Sequence, residues 1–211
     1  MKELWLPLTD TIEFQQHAEL ITVKKDETFY YESGIILVDD GLVSCTGANN
    51  LHLIGTDGML FNVKSLTFRA WKNTCIWYLP MPLLRRMGDR KEVCNLILWS
   101  KQQQSIWREC ILSKENVKSA ILNTLIELFI KRGRERFYLV LDELCNEMAY
   151  YSKEMIHTAC LNLSEENAIY FSRRNNKITF SATAFAQYID RQVCATYTTS
   201  IKKIPDLCRL D

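Results

Sequence analysis

The sequence predicts an α+β chain in which strands come first and helices later. Three observations carry this. From Leu20 to about Tyr78, short runs of β-type residues alternate with turn residues. From Asp89 to Gly133, apolar residues recur instead at spacings of three and four. From Leu139 to Phe180, two short helical patterns lead into a β-hairpin pattern with cations near its tip.

The strand region is punctuated regularly. Leu20–Val23 meets a Lys-Lys-Asp-Glu turn, Thr28–Tyr31 is broken by Glu32-Ser33-Gly34, and Ile35–Val38 ends at Asp39-Asp40-Gly41, a strong hairpin signal. Leu42–Cys45 leads to Gly47-Ala48-Asn49-Asn50, and Leu51–Ile54 stops at Gly55-Thr56-Asp57-Gly58. Short strands at such intervals predict an antiparallel β-roll, cupin-like in form, over residues 1–88. Side chains such as Phe61, Phe68 and Trp71 are expected to fill it.

Pro80 and Pro82 close that region. Pro82 suits the first turn of a short helix over Leu83–Met87, which Gly88 ends. A long helix is expected within 89–112. Val93, Ile97, Ser100, Gln104, Trp107 and Ile111 share one side of it, with a polar middle. That side fits two arrangements. Either the helix lies on the roll, or Val93, Ile97, Ser100, Gln104 and Trp107 form the seam of a homodimer whose polar layer fixes register. Ser113 resembles the N-cap of the next helix, which carries Ile121, Leu125 and Leu128 on one face and ends at Lys131-Arg132-Gly133.

In the following stretch, Leu141, Leu144, Cys145 and Met148 pack inward from a first short helix, and Ala149-Tyr150-Tyr151 makes a turn. Ser152 caps a second helix whose buried side is Met155, Ile156, Ala159 and Cys160. Lys153, Glu154, His157 and Thr158 stay near its exposed start. A hairpin carries Arg173, Arg174 and Lys177 around Asn175-Asn176. This order, over 113–180, is that of a winged helix-turn-helix. Such a second helix presents its N-terminal residues to base edges in the major groove of double-stranded DNA. Lysine donates to guanine acceptors, glutamate accepts from the cytosine amino group, and threonine meets a thymine methyl or a phosphate. Ser152, Lys153, Glu154, His157, Thr158, Arg173, Arg174 and Lys177 are therefore the candidate DNA contacts. Lys131, Arg132, Arg134 and Arg136 form a second basic run. The segment 181–211 offers one further helix, Thr183–Val193, of no evident role.

The whole chain sets limits on these readings. Its 211 residues carry a net charge of +1, so any DNA contact depends on local patches rather than the overall field. The eight cysteines are scattered, with no CxxC pair and no histidine cluster, which predicts no metal or cofactor. The start lacks the apolar core of a signal peptide, and no run spans a bilayer, so a cytoplasmic location with reduced thiols and no membrane contact is expected. A thiol switch requires an exposed cysteine of lowered pKa, whereas Cys45 and Cys75 sit in apolar strand contexts. There is no phosphate-cradling glycine loop, no HExxH and no triad-like spacing, so an enzyme is not expected. The carboxylate pairs Asp39-Asp40 and Glu165-Glu166 read as turns and solvated faces.

With these residues in place, the chain resembles the CRP/FNR superfamily of bacterial transcription regulators over roughly Leu20–Phe180. The motif Ser152-Lys153-Glu154-Met155-Ile156 is similar to the family's Ser-Arg-Glu-Thr-Val at the start of its recognition helix. The resemblance places Lys153 at an arginine position, Glu154 at the base-reading glutamate and Thr158 at a second arginine position. Ile169–Phe180 looks like the family's wing. It implies an N-terminal roll, a long dimerisation helix and a C-terminal reader. The stretch Gly58–Ala70 lacks the acidic residue and the Arg-Ser pair of the family's cyclic-nucleotide cassette, and Arg69 reads as structural. The four-cysteine iron–sulfur pattern is missing, and His17 and His52 are isolated. The turn glycine of the helix-turn-helix is replaced by Tyr150, for which positive φ would cost on the order of 1 kcal/mol. The shortened layout is also similar to a small enterobacterial subgroup linked to peroxide resistance.

The leading expectation is thus a homodimeric, DNA-binding transcription regulator with an unknown small-molecule effector or none. The alternative is a ligand-binding or protein-interaction module whose helix-turn-helix no longer binds DNA.

Overall fold

The computed structural model describes residues 2–47, 50–62, 66–112 and 116–202. Two helices, α1 (Lys2–Thr9) and α2 (Ile12–His17), precede the strands. Sequence reading did not anticipate them. Their fold signal is three buried side chains, Trp5, Leu8 and Phe14, and a Thr11 hydroxyl that accepts from the Phe14 amide at 3.3 Å.

Eight strands follow: β1 (Glu19–Val23), β2 (Thr28–Tyr31), β3 (Gly34–Asp40), β4 (Leu42–Gly47), β5 (Asn50–Gly55), β6 (Met59–Asn62), β7 (Leu66–Ala70) and β8 (Thr74–Pro80). They form two four-stranded antiparallel sheets, ordered β1-β8-β3-β6 and β2-β7-β4-β5. Gly41 links β3 to β4 at φ +134, where an added Cβ would also strike Thr74. Alternation along β3 sorts its residues between two cores. Ile36 and Val38 join an inner cluster with Val43, Ile54, Phe68 and Tyr78, whereas Ile35 and Leu37 join an outer one beneath the helices.

The inner cluster draws side chains from both sheets. Phe29 stacks on Phe68 at 5.3 Å between centroids, and Tyr31 on Tyr78 at 4.5 Å. Of the three expected fillers, only Phe68 lies there. Phe61 packs against the outer cluster. Trp71 points the other way and meets the Phe129 ring at 4.1 Å. Arg69 lies 3.0 Å from Asp26 and over the Trp71 ring at 4.4 Å.

The helical half begins with α3 (Met81–Arg86), with Pro82 in its first turn, then α4 (Lys91–Leu112) and α5 (Val117–Arg132). The expected Ser113 cap lies outside the described residues. Instead, the Asn116 side chain accepts from the Lys118 amide, and Gly133 ends α5 at φ +64.

The apolar side of α4 is covered by the chain itself. Val93, Ser100 and Trp107 are buried, Ile97 packs against the outer cluster, and Gln104 donates to the Phe61 carbonyl at 2.7 Å. The homodimer seam expected on this face is therefore corrected to an intrachain contact, the helix-on-roll alternative. Helical period reveals a buried side but not what buries it. The opposite face, with Lys91, Cys94, Leu98, Lys101, Ser105 and Arg108, is exposed.

The last helix, α8 (Ala182–Lys202), is longer than expected and has a clear role. It returns to pack on α4 and β5. Trp107 lies between His52 of the roll, at 5.2 Å, and Phe185 of α8, at 5.6 Å. Beside them Gln103 of α4 donates to Asp190 of α8 at 3.2 Å. Among the described residues no helix is long and apolar enough to cross a membrane.

Burial, then the charge of Asp57, pushes Asp190 up from 3.8 to about 7. Its folded pKa exceeds its unfolded one, so its contribution to stability is complete below about pH 4 and is lost as pH rises to 7. Asp190→Asn is expected to gain thermal stability over the wild type progressively from about pH 4 to pH 7, and then no further, in melts across that range. His52, lowered to about 4 by burial and then by Arg108, acts with the opposite slope and is common to both proteins. Thiol burial gives a second expectation. Cys45 and Cys160 are fully buried and pushed up to about 12 by desolvation, whereas Cys94 and Cys194 are exposed. Maleimide labelling followed by mass mapping should modify Cys94 and Cys194 in the native protein, and Cys45 and Cys160 only in denaturant.

Candidate nucleic-acid interface

The stretch after Gly133 folds as β9 (Arg136–Val140), α6 (Leu141–Glu147), α7 (Lys153–Glu165), β10 (Tyr170–Ser172) and β11 (Lys177–Ser181). The sheet order is β10-β11-β9, all antiparallel. Strand β9 was not expected, because its five residues run into α6 without a turn residue between them. Its alternation is nonetheless complete: Phe137 and Leu139 are buried, while Arg136, Tyr138 and Val140 are exposed.

The inner face of this sheet, with Phe171, Ile178 and Phe180, closes over Leu141 and Leu144 of α6 and over Ile156, Cys160 and Leu163 of α7. Met155, expected to be inside, is half-exposed instead. The turn joining α6 to α7 avoids the strain expected at Tyr150. Among the described non-glycine residues positive φ occurs only at Asp26, Asp57, Asn167 and Asn176, and Tyr150 is fully exposed. Met148 makes the bend at φ −119, ψ 46, and its amide donates to the Leu144 and Cys145 carbonyls.

Ser152 caps α7, its hydroxyl accepting from the Met155 amide at 3.3 Å. Lys153, Glu154 and Thr158 are exposed at the open end of the helix. His157 is half-buried, its ring edge-on to Phe171 at 5.4 Å. Glu154, Met155 and Thr158 line an open groove shared with Asn116, Val117 and Lys118 at the start of α5. The structure thus groups the expected α7 residues at one end, but turns Glu154 and Thr158 toward α5 and His157 toward the wing.

The wing turn exposes Arg173 and Arg174, with Asn176 at φ 49. The Leu141 amide donates to the Asn176 carbonyl at 2.8 Å and so ties the wing to the start of α6. Lys177 departs from the expected tip cluster: its Nζ lies 3.7 Å from the Tyr138 ring centroid.

Charges around α7 are divided. Lys153 Nζ lies 2.6 Å from Asp142 Oδ1 of α6, a hydrogen bond that raises the lysine pKa. Glu154 is lowered by its own backbone amide and by the Ser152 hydroxyl. Asp142, Glu143 and Glu147 are exposed along α6. Sequence reading missed this acidic flank and the Asp142 partner; both were legible only as ordinary helix-start carboxylates. The missed exposed tyrosines, Tyr138 and Tyr170, could have been found from the period-two pattern of β9 and β10. Among the described residues no group of His, Cys, Asp and Glu is arranged to hold a metal.

No protein-family model matches the chain, and no curated protein matches it. Solved structures similar to it include a transcriptional regulator of the Crp/Fnr family from Eubacterium rectale, at 15% identity and a TM-score of 0.43, covering 89% of this chain and 97% of that one. Unbound oxidised CprK is similar at 13% identity and a TM-score of 0.40, covering 83% and 95%. The catabolite activator protein of Thermus thermophilus is similar at 16% identity and a TM-score of 0.34, covering 89% and 99%. At these values none of them assigns a residue or an activity to this chain.

The Ser152 cap offers a direct check on the open end of α7. Ser152→Ala should cost about 1 kcal/mol of stability, read by urea denaturation.

Proposed function

We propose that this protein is a DNA-binding transcription regulator of the CRP/FNR type that acts as a homodimer without control by a cyclic nucleotide. The observation that carries the reading is the arrangement of the reader. A capped helix, α7, holds Lys153 and Glu154 at an open N-terminal end, beside a three-stranded wing that carries Arg173 and Arg174. In this reading 1–88 is a structural roll, 89–112 its connecting helix and 113–180 the reader, with α8 of the 181–211 extension bracing them. The packed interior around Phe68 supports independence from cyclic nucleotide. Wing and β9 cations meet phosphates, while Lys153 and Glu154 meet base edges. A second copy sits on the exposed face of α4 around Leu98, so that two α7 helices enter major grooves about 34 Å apart on a palindromic site. A cytoplasmic location follows from that role.

One observation favours the alternative, a module whose helix-turn-helix no longer binds DNA. Asp142, Glu143 and Glu147 stand on the helix beside α7 and oppose an approaching phosphate backbone.

Selection of bound fragments from genomic DNA, followed by gel shifts across a salt series, separates the two. The proposal expects a selected duplex whose affinity falls steeply with salt. Arg173→Ala with Arg174→Ala should reduce the log–log salt slope by roughly two. Lys153→Ala should reduce discrimination between the selected site and its variants. Absence of duplex binding at low salt would favour the interaction module.

A further inference from the structure

The outer face of the three-stranded sheet forms a second surface, distinct from the open end of α7. Register places Tyr138 of β9 and Tyr170 of β10 on either side of Thr179 in the central strand. One row across the sheet therefore reads Tyr170, Thr179, Tyr138. Strand spacing sets the two tyrosines about 10 Å apart. They are 63% and 64% exposed. The sheet does not need them for its core, because Phe137, Leu139, Phe171, Ile178 and Phe180 already fill its inner face.

Cations border this row. Lys177 covers one side of the Tyr138 ring at 3.7 Å, and Arg132 donates to the Tyr138 carbonyl at 3.2 Å. Arg136 lies in the next row, opposite Ser181. It also lines a recess of about 370 Å³ together with Asn167, Tyr170, Thr179 and Ser181. Neither Arg134 nor Arg136 makes an ion pair with a described residue. The carboxylate of Glu135 is engaged by the Thr183 hydroxyl.

We propose that this face binds a single-stranded polynucleotide. Bases stack on Tyr138 and Tyr170, and Arg136 and Lys177 meet the phosphates between them. The pairing of exposed rings with cations of one sign selects the partner. Rings alone suit many ligands, but rings interleaved with cations suit a polyanion that also has flat apolar faces. A duplex hides those faces in its stack, whereas an unpaired strand presents them. The proposal does not rest on duplex reading by α7 and uses none of that helix's residues; it shares only Arg136 of β9 and Lys177 of the wing with the phosphate contacts proposed above.

Fluorescence anisotropy with the full chain tests it, using fluorescein-labelled oligothymidine, oligouridine and a mixed-sequence duplex. Tyr138→Leu and Tyr170→Leu are surface changes that keep strand propensity, and circular dichroism verifies their fold. The wild type should bind at least one of the two single strands, with salt-dependent affinity. Each leucine variant should lose roughly tenfold in that affinity, and the double variant more. Phenylalanine at both positions should restore binding, because it keeps the ring and removes only the hydroxyl. Lys153→Ala should leave single-strand binding unchanged, which separates this surface from the end of α7. Preference for oligothymidine or oligouridine identifies DNA or RNA as the strand, and either supports the proposal. Failure of both single strands to bind at low salt would overturn it, as would equal binding by the double leucine variant. A change in sedimented mass in the leucine variants, without single-strand binding, would assign the face to a second copy and also overturn it.

Discussion

The burial of Trp107 between His52 and Phe185 is the contact on which the rest of the arrangement depends. It joins three parts of the chain far apart in sequence: a strand of the roll, the C-terminal part of α4 and the start of α8. An aromatic side chain of this size removes a large apolar area from water and constrains the orientation of what it touches. Trp71 does the same on the other side, carrying the roll onto Phe129 of α5. The outer core accordingly runs without interruption from Trp5 to Val193. The α5–β11 segment is not a bead on a flexible string, because its helices share one core with the roll.

That continuity explains what was legible in the sequence and what was not. Strand positions were legible wherever a turn residue had one conformational job, as at Gly41, and the end of α5 was marked in the same way by Gly133. The buried side of α4 was also legible, since Val93, Ile97, Ser100, Gln104 and Trp107 keep helical period. Its covering was not, because a second copy and a returning C-terminal helix impose the same pattern. Phe185, Tyr188 and Ile189 of α8 supply part of that covering. The α1–α2 pair was hidden by brevity, and β9 by the absence of a breaker before Leu141.

The candidate site was legible to a similar depth. Local signals located the Ser152 cap, the exposed Lys153-Glu154 pair and the Arg173-Arg174 turn. What the local sequence does not contain is the set of partners brought in from other elements. Asp142 reaches Lys153 across the turn, Tyr138 receives Lys177 from the neighbouring strand, and Phe171 receives His157. The acidic first turn of α6 illustrates a conflict between levels. Carboxylates there favour the helix macrodipole, yet the same charges stand beside the helix proposed to approach a polyanion.

The return of α8 to the roll has a mechanical consequence. The chain enters the α5–β11 segment by way of α4 and leaves it through α8; α4 packs on β6 and α8 on β5. A body hung from a single tether swivels in all directions. Reorientation of α7 relative to the roll therefore has to disturb the packing of α8 on α4.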